Sequence, residues 1–228
     1  MSNARTRPPA PAHVEFQAKK AELQQLSLAE KFSQIFTTNL WTGGSRSGLG
    51  SELTATTGVR AELPAVLKAL DARTLLDLPC GDFGWLSTVP LDLEYIGGDI
   101  VPSIIAENTR RYGGAGTRRQ FLRLDLTTDP LPRADVVLCR DCLVHLSFAN
   151  IARAFDNLRR SGSTYLIATT FLEHEQNEDI EDGDWRLLNL TRPPLNLPPP
   201  EMVLLEGCLE GDGAYADKAL GVWRIGDL

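Results

Sequence analysis

A chain of 228 residues, 43% of them hydrophobic, can bury one sizeable core and lies in the size range of a single α/β domain. Its 23 basic and 30 acidic residues give a net charge of −7, which argues against nucleic acid as a partner, because such proteins carry a basic stripe against phosphates. The four cysteines are too scattered for a disulfide framework, and no signal peptide or apolar run of membrane-spanning length is visible, so a cytoplasmic protein without membrane contact is expected.

In chain order, the first dozen residues are proline-rich and polar and are expected to be disordered. "SLAEKFSQIF" then has capping-box spacing between Ser27 and Glu30, with Leu28, Phe32, Ile35 and Phe36 on one helical face. "WTGGSRSGLGS" carries four glycines and is expected to be a mobile loop. Residues 1–52 therefore form an appendage of disordered start, helix and lid-like loop ahead of a main domain over 53–228. That domain opens on a helical pattern of Val59, Leu63, Val66, Leu67 and Leu70, in which Pro64 predicts a late start or a kink.

From Arg73 onward, short apolar runs alternate with helical ones. Strands are predicted at "TLLDL", "EYIGGD", "QFLRLD", "ADVVLC" and "TYLIATTF", with helices from about Phe83, from Pro102 to Tyr112 and from Phe148 to Arg160. Pro102 suits a first helical position, Gly113 a terminating one and Ser147 an N-cap. The alternation predicts an α/β fold, doubly wound around a mostly parallel sheet. An acidic and then proline-rich excursion over 173–200 interrupts this pattern before two final strand-like segments, "EMVLLEG" and "KALGVWRI". So long a connection, like the glycine loop, is a natural place for lid and substrate contacts.

In such sheets ligands bind beyond the carboxyl ends of the strands. The predicted strands end in Asp77, Asp99, Asp125 and the pair Arg140–Asp141, which puts acids along one rim. Any one of them is unremarkable, since Asp commonly caps a strand-to-helix turn, but the series with its spacing is harder to dismiss. Asp99 lies 18 residues beyond Gly81, where an acid accepts from the hydroxyls of a ribose. Cys139 and Cys142 form a CxxC with no second pair and are read as core and site lining. Asp141 is followed by Cys142 rather than a second oxygen ligand, and no metal is expected.

At "DLPCGDFGW" the chain resembles the class I S-adenosylmethionine-dependent methyltransferases, over roughly Arg73 to Phe171, and in particular a glycine-turn variant of small bacterial ones. Asp77, Cys80 and Gly81 match the usual glycine turn, while Pro79 and Phe83 replace its outer glycines. The resemblance implies a Rossmann-like fold, S-adenosylmethionine as cofactor and methyl transfer to an oxygen, nitrogen or carboxylate of a small molecule. It also implies roles: Cys80 and Gly81 near the methionine part, Asp77 on its amino group, Asp99 with Ile100 on the ribose, Asp125 and Leu126 on the adenine edge. Arg140 would lie near the cofactor's carboxylate and Asp141 near the reacting methyl. Trp41, Phe83 and Trp85 either face the cationic cofactor or are core, and Arg46 or Ser47 would touch its carboxylate or the substrate.

A base is needed only for hard nucleophiles; His145, after the fourth strand, is the first candidate and His174 a weaker one, while His13 is set aside with the floppy start. Two rival readings stay open. A nicotinamide oxidoreductase would need a GxGxxG turn, which is missing, and an inactive methyltransferase-like binding protein is motivated by Pro79 and Phe83. Oligomeric state is not legible.

Overall fold

The protein is described here from a computed structural model covering residues 7–228. Two helices precede the sheet: α1, Pro11–Leu23, and α2, Leu28–Thr38. The Ser27/Glu30 capping box is formed on both sides, and Asn39 closes α2 in the left-handed conformation at φ 52°. Phe16 and Leu23 of α1 pack on Ile35 and Leu40 in a small core of their own. The start is thus not disordered from residue 7 to 12: Pro11 opens α1, Ala10 is buried, and Arg7 pairs with Asp217 at 3.0 Å. The rest of that expectation, residues 1–6, lies outside the described residues.

Helix α3, Thr57–Ala69, runs through Pro64 and buries Val59, Leu63 and Leu67. The sheet then builds up from β1, Thr74–Asp77; β2, Glu94–Asp99; β3, Arg119–Arg123; β4, Val136–Cys139; β5, Tyr165–Phe171; β6, Met202–Leu205; and β7, Lys218–Arg224. Its order is β3-β2-β1-β4-β5-β7-β6. The pairs among β1 to β5 are parallel, while β7 runs antiparallel to both β5 and β6. The expected doubly wound, mostly parallel α/β fold is present.

Both faces are covered, which is why the central strands are apolar throughout. Successive residues point to opposite faces. Leu76, Val137 and Leu166 accordingly pack with Ile151, Ala154 and Leu158 of α5, Phe148–Ser161. Leu75, Val136, Leu138 and Ile167 instead pack with α3 and with Ile104 of α4, Pro102–Tyr112. Helix α5 starts on Ser147 and stops at Gly162, left-handed at φ 68°.

Two predicted boundaries differ. The helix expected from Phe83 is only a 3-10 turn, Leu86–Thr88. Phe83 itself is left-handed at φ 57°, and Pro90 disfavours helical backbone at Val89 and removes a donor. Strand β3 stops at Arg123 rather than Asp125, because the amide of Asp125 donates to Asp129 Oδ2 at 2.8 Å and leaves the ladder.

The excursion over 173–200 is an ordered strap with Leu188, Leu190 and Leu197 in the core. Its acids serve α5: Asp182 accepts from the amide of Ser147 and Asp179 from that of Phe148, both at 2.7 Å. Carboxylates there answer the unpaired donors and positive dipole end of the helix.

Candidate functional site

A cleft of about 1020 Å³ opens over the carboxyl ends of β1, β2 and β4, where strand order reverses between β1 and β4. Its floor is Asp77 to Asp82, with Pro79 and Cys80 among the lining residues and α2 closing the opposite side through Leu28, Phe32 and Phe36. Gly81 has φ +52° and its amide donates to Asp99 Oδ2 at 3.1 Å. A Cβ at Gly81 would sit 2.7 Å from Ser47 Oγ, so only glycine lets the loop 41–51 approach the turn.

That loop is docked, not mobile as expected. Ser45 Oγ donates to Asp82 Oδ2 at 2.7 Å, and the amide of Asp82 donates to Ser47 Oγ at 3.0 Å. Arg46, between these contacts, lines the cleft, is exposed, and has no ion pair with any described residue.

The acids of the rim face this cleft together. Asp77 is buried and accepts from Tyr95 Oη at 2.7 Å; burial pushes its carboxyl up to about 7. Asp99 accepts from the amides of Gly81 and Val101, and burial still pushes it up to about 6. Ile100 lines the cleft beside it. Asp125 Oδ1 accepts from the amide and hydroxyl of Thr127 at 2.8 and 2.7 Å, and the carbonyl of buried Leu126 is held by Asn157 at 2.9 Å.

Beyond β4 the chemistry is denser. Arg140 is buried and forks onto Glu206 at 3.1 and 2.6 Å, lies 3.2 Å from Asp141 Oδ2 and stands 5.4 Å over the Trp85 ring. Burial works against its charge, but Glu206 and Asp141 outweigh that and raise its pKa. Asp141, left-handed at φ 51°, takes Lys218 Nζ at 2.7 Å. Burial disfavours the Asp141 carboxylate, yet Lys218 and Arg140 hold it well below the usual range.

His145 lies within the same cleft and is 7% exposed. Its Nδ1 is 2.8 Å from the carbonyl of Asp184. A carbonyl only accepts, so Nδ1 carries the proton and Nε2 keeps a free lone pair. Burial lowers its pKa to about 4, leaving the ring neutral near pH 7. Trp41 stacks on it with centroids 4.3 Å apart and planes at 22°.

Phe83 is the predicted site residue that the fold takes elsewhere. Its left-handed backbone turns the ring into an aromatic cluster with Tyr95, Tyr112 and Phe121, at centroid distances of 4.7, 5.0 and 5.3 Å, and it does not line the cleft. Cys142 lines the cleft, while Cys139 is core. His174, the weaker candidate base, does not line this cleft. His13, on α1, binds Asp184 Oδ1 at 2.8 Å and so supports the strap that holds His145.

Sequence reasoning missed Tyr95, Asp184, Glu206 and Lys218. An acid closing the apolar run of one final strand segment and a lysine opening that of the other were the available signal for the last pair. No group of three or more His, Cys, Asp or Glu residues arranged to hold a metal occurs among the described residues.

Among solved structures, the methyltransferase domain of bacterial CtHen1-C aligns with a TM-score of 0.54 at 16% identity, over 76% of this chain and 98% of that one. The fold is that of a methyltransferase domain. The N-methyltransferase NodS from Bradyrhizobium japonicum, solved with S-adenosyl-L-homocysteine, aligns at 0.49 and 13% identity over 61% of this chain and 72% of its own. No family model matches the chain, and no curated protein matches it in sequence. In this methyltransferase-type fold the cleft residues fit a cofactor that is cationic and lacks a pyrophosphate: Asp77 and Asp99 are buried acids with no salt bridge to a described residue, and the turn has a single close-approach glycine.

Proposed function

We propose that the protein is an S-adenosylmethionine-dependent methyltransferase acting on an oxygen, nitrogen or carboxylate nucleophile of a small molecule. The observation that carries the reading is the convergence of Asp77, Asp99 and Asp125 on one cleft floored by the Gly81 turn. When bound, S-adenosylmethionine supplies a methyl group already activated as a sulfonium, so the protein's part is alignment, exclusion of water and handling of one proton.

Asp99 with Ile100 is assigned to the ribose, Asp125 and Leu126 to the adenine edge, and Asp77 with Cys80 and Gly81 to the methionine part. Because the Arg140 fork is filled by Glu206, Arg140 becomes a positioning residue that fixes Asp141, and the carboxylate end falls to Arg46. Trp41 and Trp85 present rings to the cleft. Phe83 acts from behind, by packing Tyr95, the residue that donates to Asp77. His145 Nε2 is the base for an acceptor proton, and the proton fixed on Nδ1 by Asp184 makes that nitrogen available. The oxidoreductase reading gains nothing from this cleft. The inactive-scaffold reading loses its Phe83 argument, since that ring does not narrow the cleft.

Asp99→Ala tests the assignment. With the fold checked by circular dichroism, it is expected to weaken S-adenosylhomocysteine binding about tenfold or more, since hydrogen bonds to a charged group contribute about 1.5–3 kcal/mol. Unchanged affinity would overturn the ribose role.

A further inference from the structure

A second cleft, of about 600 Å³, adjoins the first. Trp41, Ser47, Asp141 and His145 line both, so these residues mark where the two meet. The far part of the second cleft is built by elements outside the strand rim: Trp185 from the strap, and Glu210 and Tyr215 from the β6–β7 connection.

Its walls are aromatic. Phe171, Trp185 and Tyr215 meet edge to face, with centroids 6.0, 5.6 and 6.3 Å apart, and Tyr215 is fixed by donating to the carbonyl of Pro8 at 2.6 Å. Such faces accept a flat ring, and they also attract a cation.

Its charge is unbalanced. The network beside it contains two cations, Arg140 and Lys218, which are paired with two anions, Asp141 and Glu206. Arg7 is matched by Asp217. Glu210 is left over: it lines the cleft, its side chain makes no hydrogen bond or ion pair with a described residue, and burial, with Asp141 and Glu206 nearby, pushes its pKa up although Lys218 and Arg140 attract its charge. A partly buried carboxylate in contact with no cation gains from a ligand cation that reaches it directly. At the junction, His145 offers a neutral, unpartnered nitrogen that is more than nine-tenths buried.

Building on the methyltransferase reading, we propose that the second cleft is the acceptor site and that it takes a small aromatic molecule bearing a basic amine, with the ammonium on Glu210 and the ring against Trp185 and Tyr215. The amine then anchors the molecule at the end away from the cofactor cleft, and the group to be methylated lies at the junction, beside His145 Nε2.

Phenethylamine, 2-phenylethanol and 3-phenylpropanoate differ mainly in the charge they carry beside the same ring. Each is titrated calorimetrically into the full chain, with and without S-adenosylhomocysteine, whose own binding is measured separately. The amine is expected to bind at least about tenfold more tightly than the acid, with the alcohol between them. Glu210→Gln is expected to abolish that preference and leave S-adenosylhomocysteine affinity unchanged. An acid that equals or exceeds the amine, no binding by the amine, or a preference that survives Glu210→Gln would overturn the proposal. Failure of S-adenosylhomocysteine to bind would instead strike the cofactor reading, whatever the three probes do.

Discussion

Asp77 is an acid that the fold keeps half-neutral at neutral pH. Its folded pKa of about 7 lies above the ordinary 3.8, so the folded state holds its proton more tightly than the unfolded state does. Its contribution is full below about pH 4 and is lost as pH rises through about 7; Asp99 behaves alike up to about 6. His145 has the opposite sign: its depressed pKa gives stability that is present above the ordinary 6.5 and lost as pH falls through about 4. Asp77→Asn keeps an acceptor for Tyr95 and removes one titration. In melts from pH 4 to 8 it should gain stability relative to the wild type as pH rises, and a difference that does not change with pH would contradict the assigned burial effect. His145→Ala should leave S-adenosylhomocysteine affinity unchanged and lower turnover by about 10²–10⁴, with equal turnover removing it from the mechanism. At this scale Asp77, Gly81, Asp99 and Asp125 were legible because strand ends are marked in sequence. Glu206 and Lys218 were not, since they meet Arg140 and Asp141 across separations of 66 and 77 residues. Nor was the direction of the Phe83 ring, which depends on a left-handed backbone.

Caps and glycines decide the elements. Ser27 and Ser147 were readable as helix starts from local spacing alone. The second cap of α5, supplied by Asp179 and Asp182 from the strap, was hidden because its acids lie 31 and 35 residues from the amides they meet. Asp182→Ala removes the contacts to Ser147 and Asn150 and should lower stability by about 1 kcal/mol in chemical denaturation. The loop 41–51 looked mobile because glycines carry no packing signal, yet two glycines, Gly81 in the turn it meets and one of its own, are what allow it to dock. Gly81→Ala would force a left-handed alanine against Ser47, costing about 1 kcal/mol or more, and it should also release the loop to faster proteolysis. A stable, protease-resistant Gly81→Ala chain would contradict the docking. Gly50 is the second: a Cβ there would lie 2.8 Å from Asp141 Oδ2.

In the whole molecule, the order of alternating patterns was enough to anticipate a doubly wound sheet with its acids on one edge. The glycine loop and the strap were anticipated as lid and substrate elements, but the docking of α1 on the strap was not legible, because it rests on pairs 171 and 167 residues apart. Yet the N-terminal segment and the strap complete the site: α2 closes the first cleft, Trp185 lines the second, and His13 and Gln17 of α1 grip Asp184, whose carbonyl sets the tautomer of His145. No helix among the described residues is long and apolar enough to cross a membrane.

The central claim is that the first cleft holds S-adenosylmethionine. A ligand that binds only the folded chain raises its melting temperature by mass action. Melting the protein with S-adenosylmethionine, S-adenosylhomocysteine or NAD therefore tests the claim directly: the two adenosyl ligands should raise the melting temperature in a concentration-dependent way and NAD should not. A chain that responds to neither adenosyl ligand, or to NAD alone, would contradict the account.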